Sequence, residues 1–176
     1  MKILGVSGSL RESSFNTSLL RAALEAAPEG IELELWEGLG DLPLYDEDLE
    51  PDAPESVRRL REAWAAADAI LFSTPEYNGS VPGGLKNAID WASRPRLEAV
   101  LRNKPVAVVG ASTGQFGALW AQQDLKRILG VAGARVVGEG LPVARAHEGF
   151  PDLLHEQLRE VLQTLDEAVA PDEVPV

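Results

Sequence analysis

Residues 5–16 read GVSGSLRESSFN and lie between a short apolar run and a helical pattern. The apolar run, residues 3–6, predicts a buried parallel strand. Asn16 is expected to be the N-cap of the helix that follows, in which Leu19, Leu20, Ala23 and Leu24 recur at helical spacing. The loop between them therefore starts at the end of a strand and finishes at the beginning of a helix.

The polar groups of this loop favour a phosphate site. They are Ser7, Ser9, Arg11, Ser13, Ser14 and Asn16. Backbone N–H groups, hydroxyl groups, the positive end of a helix dipole and one guanidinium together suit a doubly charged phosphate. The alternative is a polar turn with a good helix cap, which a Gly/Ser loop alone would favour. Arg11 shifts the balance, because a guanidinium inside a short turn has no evident core role and suits a planar anion.

Composition limits the possible classes of protein. The 176 residues are 45% hydrophobic, which predicts a single domain spanning residues 1–176, with an acidic tail, residues 169–176, expected to be flexible. The formal charge of −12 argues against nucleic acid or anionic membranes as partners. The chain has no cysteine and two histidines outside any ligand pattern, so no metal site is expected. No apolar run reaches the length of a signal peptide or a membrane span, and a cytoplasmic location is expected.

Strands alternate with helices along the chain. Apolar runs predict strands at 31–36, 69–74, 105–111 and 135–137, the last with a possible continuation at 141–143. Helical patterns cover residues 55–67, 84–93, 117–130 and 151–169. The alternation predicts an α/β fold, a flavodoxin-like three-layer sandwich with a five-stranded parallel sheet of order 2-1-3-4-5. In that order the chain reverses beside strand one, so the loops after strands one, three and four should converge at one edge.

The loop after strand three reads PEYNGSVPGGLKNAIDW over residues 75–91. Its prolines stiffen the chain and its glycines allow close approach of the backbone, which suits the wall of a flat heteroaromatic ring. A Pro/Gly-rich crossover turn without function is the alternative. Residues 112–117, STGQFG, would add small donors to the same site. The chain lacks both G-x-G-x-x-G and the Walker motif, which argues against an ordinary Rossmann dehydrogenase and a P-loop NTPase.

Residues 8–11 with the following serines and Asn16, together with residues 75–83 and 85–91, resemble the NADPH-dependent FMN reductase family. That family includes flavodoxin-like quinone, chromate and azo-dye reductases, and the resemblance extends from the N-terminus to about residue 140. The resemblance implies that the FMN phosphate is held by Ser9, Arg11, Ser13 or Ser14, Asn16 and Thr17. The isoalloxazine ring would lie against Pro75, Glu76, Tyr77, Asn78 and Gly79, and the far side would be closed by Ser112, Thr113, Gly114 and Gly117. Ala118 departs from the pattern, since relatives often have glycine there.

The resemblance implies an FMN-dependent NAD(P)H oxidoreductase that works by ping-pong hydride transfer to a small acceptor, such as free flavin, a quinone, an azo compound or chromate. The flavin would carry the chemistry, so no catalytic side chain is expected. A flavodoxin-like electron-transfer protein and a non-catalytic flavin-binding module are the alternatives. The resemblance also implies a homodimer or homotetramer, which fits the apolar surface expected around Trp91, Trp120 and Tyr77. The choice between NADPH and NADH stays open.

Overall fold

The computed structural model describes residues 1–169, which form an α/β fold. The strands are β1 (Lys2–Ser7), β2 (Glu32–Trp36), β3 (Ala69–Ser73), β4 (Pro105–Ala111), β5 (Arg135–Val136) and β6 (Leu141–Val143). The α-helices are α1 (Phe15–Ala26), α2 (Glu55–Ala66), α3 (Gly83–Ala92), α4 (Leu119–Val131) and α5 (Leu154–Val169). Each of these elements was predicted from the sequence. The predicted tail lies, beyond Val169, outside the described residues.

The sheet is parallel and has the order β2-β1-β3-β4-β5, which confirms the predicted flavodoxin-like arrangement. The outer strand is split into two pieces. β5 pairs with Pro105 and Val106 of β4, whereas β6 pairs with residues 109–111 of the same strand. Between the pieces the chain leaves the sheet at Gly138 and Gly140, whose positive φ angles of 72° and 88° favour glycine.

Helices cover both faces of the sheet. One core cluster packs α2, α3 and α4 against the strands, and the other packs α1 and α5 against the opposite face. Every residue of β3 and β4 is buried, as their continuous apolar sequence predicts. Trp64 lies in the core with no exposed surface, as expected. Among the described residues, no helix combines the length and the apolar character that crossing a bilayer requires.

Trp91 was expected at an apolar surface or, as the alternative, packed inside, and the structure buries it. Its side chain has no exposed surface, and its indole N–H donates to the carbonyl oxygen of Pro43 at 2.9 Å. The cause is the segment after β2, which folds over α3. Asn87 holds the same segment, since its Nδ2 donates to Pro43 and its Oδ1 accepts the N–H of Tyr45.

Candidate functional site

The carboxyl ends of β1, β3 and β4 lie at the same edge of the sheet. Ser7 is in register with Ser73, and Ser73 with Val109. Two backbone hydrogen bonds join the segments beyond the strand ends: Gly8 N donates to Ser73 O at 2.8 Å, and Thr74 N donates to Val109 O at 3.0 Å. Three loops therefore start side by side: the β1 loop (residues 8–14), the β3 loop (residues 74–82) and the β4 loop (residues 112–118).

Asn16 is not the N-cap of α1, contrary to the sequence expectation. Ser14 takes that position with extended backbone (φ −75°, ψ 127°), and its Oγ accepts the N–H groups of Asn16 and Thr17. Asn16 is 3% exposed and points across the strand ends. Its Oδ1 accepts from Ala111 N at 2.9 Å and from Ser73 Oγ at 3.0 Å, and its Nδ2 donates to Ala111 O at 3.0 Å. The side chain thus ties α1 to both β3 and β4.

The β1 loop presents donors at the positive end of α1. The N–H groups of Ser13, Ser14 and Phe15 have no acceptor among the described residues. Arg11 is exposed, with its guanidinium 5.1 Å from the ring centroid of Phe15 and one Nη donating to Ser13 O. An exposed guanidinium beside unpaired N–H groups at a helix start is the arrangement that binds a phosphate.

A cavity of about 240 Å³ opens on the β2 side of the β1 loop, between that loop and residues 35–40. Ser9, Arg11 and Thr17 all line it, so the fold brings these three predicted site residues together. The hydroxyl groups of Ser7, the last residue of β1, and Thr17, in the first turn of α1, share a hydrogen bond of 2.9 Å. Ser13 is exposed on the loop, whereas the Ser14 side chain is buried and serves as the helix cap.

The β3 loop contains a two-residue hairpin, which we call the 75–80 hairpin. Tyr77 and Ser80 exchange backbone hydrogen bonds of 3.0 and 3.1 Å. Asn78 and Gly79 form the tip with φ angles of 53° and 73°, the left-handed conformation that Asn-Gly adopts readily. Pro75 is buried, whereas Tyr77, Asn78 and Gly79 are exposed beside the site. Three of the five residues expected to face a flavin ring therefore lie on an exposed turn that two backbone hydrogen bonds close.

Glu76 makes a contact that the sequence reasoning missed. Its Oε2 accepts the N–H groups of Trp120 and Ala121 at 3.0 and 3.1 Å, and so caps the start of α4. A second contact joins the same segments, since Ser80 Oγ donates to Asp124 Oδ2 at 2.7 Å. The one available signal was the lack of Ser, Thr, Asp or Asn at position 118, where α4 needs a cap.

The β4 loop combines exposed donors with a tight turn. Ser112 is half-buried, and its N–H donates to the carbonyl oxygen of Val143 at 3.1 Å. Thr113 and Gly114 are exposed, and their N–H groups find no acceptor in residues 1–169. Gly117 has φ +56°, and a Cβ at this position would lie 2.6 Å from backbone atoms of Pro142 and Val143. Ala118 adopts the left-handed conformation as well, with φ 60°.

Aromatic side chains line this edge of the sheet. Tyr77, Phe116 and Trp120 are 53%, 46% and 47% exposed, which confirms the apolar surface expected around Tyr77 and Trp120. The rings of Phe116 and Trp120 lie 4.9 Å apart. Residues 1–169 contain no group of three or more His, Asp or Glu side chains that could hold a metal ion.

The sheet order and the donor-rich loops at the strand ends are those of a flavodoxin-like protein, a class of fold in which ligands bind at the carboxyl ends of the strands. The family model for NADPH-dependent FMN reductase matches residues 1–148. The chain therefore belongs to the NADPH-dependent FMN reductase family, whose members are oxidoreductases that use FMN and NAD(P)H. This membership confirms the resemblance, the enzyme class and the cofactors expected from the sequence.

Individual relatives and a solved structure support the assignment to this family. The chain is 42% identical over 168 residues to an NAD(P)H-dependent FMN reductase of Pseudomonas aeruginosa, covering 93% of this chain and 90% of the relative. It is 48% identical over 125 residues to a quinone reductase of Pseudomonas putida, covering 70% and 67%. The solved structure of FerB, a flavoenzyme NAD(P)H:(acceptor) oxidoreductase from Paracoccus denitrificans, has a TM-score of 0.83 at 35% identity, with 95% of this chain and 98% of FerB covered.

Proposed function

We propose that FMN binds at the edge formed by the β1, β3 and β4 loops, and that the enzyme passes reducing equivalents from NAD(P)H to a small acceptor by a ping-pong mechanism. The observation that carries the proposal is the convergence of these three loops, joined by hydrogen bonds from Gly8 to Ser73 and from Thr74 to Val109. Quinones are the favoured acceptors because several relatives are quinone reductases. Free flavin, azo compounds and chromate are the other candidates.

The residues of the β1 loop suit a phosphate. Arg11 offers a charged fork, and the exposed Ser13 and half-buried Ser9 and Thr17 offer hydroxyl groups. Ser14 would contribute its unpaired N–H group, because its hydroxyl oxygen already caps α1. Asn16 has one amide hydrogen left for a phosphate oxygen after its contacts with β3 and β4.

The other two loops suit a flat ring. Pro75, Glu76, Tyr77, Asn78 and Gly79 present backbone along one wall, held rigid by the 75–80 hairpin. Ser112, Thr113, Gly114 and Gly117 would close the far side. The unpaired N–H groups of the β4 loop are available to stabilise negative charge on the bound group.

When bound, FMN supplies a ring that accepts hydride from NAD(P)H and passes the electrons on, chemistry that no side chain of this chain offers. The protein's own residues bind, orient and shield that ring. We assign no side chain of this chain as an acid, base or nucleophile.

We also propose that two or more copies associate through α4 and the 75–80 hairpin. Trp120, Arg127 and Val131 recur at helical spacing on α4 and are exposed, Val131 by 83%. A groove of about 930 Å³ separates α4 from α3, with the 83% exposed Leu97 on its wall. Trp120, Val131 and Leu97, together with Tyr77 in the 75–80 hairpin, expose apolar side chains that a second copy of the chain would cover.

Two measurements test the proposed activity. The visible absorption spectrum of the purified protein reports bound flavin. Under anaerobic conditions, addition of NADPH to the FMN-loaded protein should bleach the flavin rapidly, and a quinone should restore its colour. A protein that holds FMN but is not bleached would instead be an electron carrier or a binding module. The cytoplasmic location expected from the sequence stays a prediction.

A further inference from the structure

Helix α4 begins without a cap from its own sequence. The residue before it is Ala118, which has no side-chain acceptor and adopts the left-handed conformation. The first N–H groups of a helix have no partner within the helix, so an acceptor must come from elsewhere. Here it is the carboxylate of Glu76, which lies 44 residues earlier in the chain, in the β3 loop, and accepts from Trp120 and Ala121.

We propose that Glu76 is a positioning residue for the flavin site, and this inference rests on the proposed function. By capping α4, its carboxylate holds the 75–80 hairpin against the β4 loop and sets the separation between the two walls that would enclose the ring. Glu76 therefore controls how tightly FMN is held through the spacing of the loops, without itself carrying any chemical step.

The geometry supports a role beyond helix stability. Glu76 stands between buried Pro75 and exposed Tyr77, so the residue that caps α4 is the one from which the exposed turn departs. Ser80 makes the second contact to α4, one turn further along at Asp124. The hairpin is thus anchored at both ends to one helix. Glu76 accepts two backbone N–H groups whereas Ser80 makes one side-chain hydrogen bond, so the Glu76 contact should dominate.

The experiment compares Glu76→Ala, Glu76→Gln and Glu76→Asp with wild type, using FMN itself as the probe. Affinity is measured by quenching of FMN fluorescence, and the visible circular dichroism of bound FMN reports the ring's surroundings. Glu55→Ala is the matched control, because Glu55 is an acidic residue in the first turn of α2, another helix without a side-chain cap at its start.

We expect Glu76→Ala to weaken FMN binding by roughly tenfold or more and to change the dichroism, since both capping bonds are lost. Glu76→Gln keeps an acceptor oxygen at the same reach and should stay within roughly threefold of wild type. Glu76→Asp keeps the charge but is one methylene shorter, so its affinity should fall. Glu55→Ala should bind FMN as wild type does.

Amide hydrogen exchange supplies a readout that is independent of flavin. In the apo-protein, the Trp120 and Ala121 amides should exchange faster in Glu76→Asp than in Glu76→Gln. Normal affinity and unchanged dichroism in both Glu76→Ala and Glu76→Asp would overturn the inference while leaving the proposed function intact. If Glu76→Ala does not fold, the comparison of Glu76→Asp with Glu76→Gln decides. A wild-type protein that binds no FMN would instead remove the proposed function, and the inference with it.

Discussion

Asn16 and Ala111, 95 residues apart, exchange two hydrogen bonds: the amide of Asn16 donates to the carbonyl oxygen of Ala111 and accepts its N–H. β3 ends at Ser73, and the chain turns away at Pro75, which has no N–H to donate. The side chain of Asn16 takes the place of the next strand residue beside Ala111. A helix residue thereby completes the hydrogen bonding of the sheet at the edge where the three loops start.

Asn16→Ala should destabilise the apo-protein by about 2 to 4 kcal/mol, because it leaves the buried N–H and C=O of Ala111 without partners. Urea denaturation measures the change in the free energy of unfolding. Ser13→Ala, an exposed change in the adjoining loop, is the control and should shift stability by less than about 0.5 kcal/mol. If Asn16→Ala lowered the free energy of unfolding by no more than the control does, water would have replaced both hydrogen bonds to Ala111.

Arg11→Ala should weaken FMN binding by roughly 10- to 100-fold while leaving the apo-protein's stability nearly unchanged. The reason is that Arg11 is exposed and its guanidinium is available to a phosphate. Fluorescence titration with FMN and with riboflavin, which has no phosphate, separates the contribution of the phosphate to the affinity from that of the ring. Arg21→Ala, an exposed arginine on α1, is the matched control. Equal FMN affinity in the Arg11 and Arg21 variants would refute the phosphate assignment.

Gly117→Ala should destabilise the protein by roughly 3 kcal/mol, because it adds the left-handed backbone penalty to a clash with residues 142 and 143. Gly130→Ala is the matched control. Gly130 lies within α4, and a Cβ added there would meet no atom within 4 Å. The substitution should therefore stabilise the protein by about 0.5 to 1 kcal/mol. Urea denaturation of both variants tests the pair. Similar unfolding midpoints for the two would contradict the assigned geometry.

Val131→Glu should weaken self-association by roughly tenfold or more, because it places a charge on the exposed stripe of α4 that we assign to a second copy. Val131 is exposed in the single chain, so folding should be unaffected. Leu153→Glu, on the opposite side of the sheet, is the control and should leave association unchanged. Sedimentation velocity over a dilution series measures the effect, and wild type that sediments only as a monomer would refute the proposed association.

The hydrogen bond from the Tyr45 hydroxyl to Glu50, together with burial, raises the pKa of Tyr45 above its ordinary value of 10.0. A raised pKa means that the protonated phenol stabilises the folded state. This stabilisation is fully present below pH 10 and is lost as the pH rises through the folded-state pKa. Tyr45→Phe should therefore lower the free energy of unfolding below pH 10, and the difference from wild type should shrink at higher pH. A pH series of urea midpoints for both proteins measures it, and a constant difference would contradict the prediction.

Much of the fold followed from local pattern. Apolar runs of strand length alternate with helical spacing, and only a parallel sheet covered on both faces buries such runs. That reasoning predicted β1 to β5, the helices and the edge at which the loops meet. It also identified Ser9, Arg11 and Thr17, which the fold brings to one cavity. The sequence by itself therefore determined the class of fold and the edge of the sheet at which the three loops start.

Tertiary structure decided which partner each polar or aromatic side chain takes. Asparagine is a residue type that often caps helices, but the Asn16 side chain bonds to Ala111 across the strand ends, and Ser14 is the N-cap of α1 instead. Glu76 caps a helix 44 residues away, and the segment after β2 buries Trp91 while Trp120 stays exposed. Periodicity reports which face a residue occupies, because it follows from backbone geometry. Which group lies opposite that face depends on the order of the strands and the path of the loops, and those are set only when the chain packs.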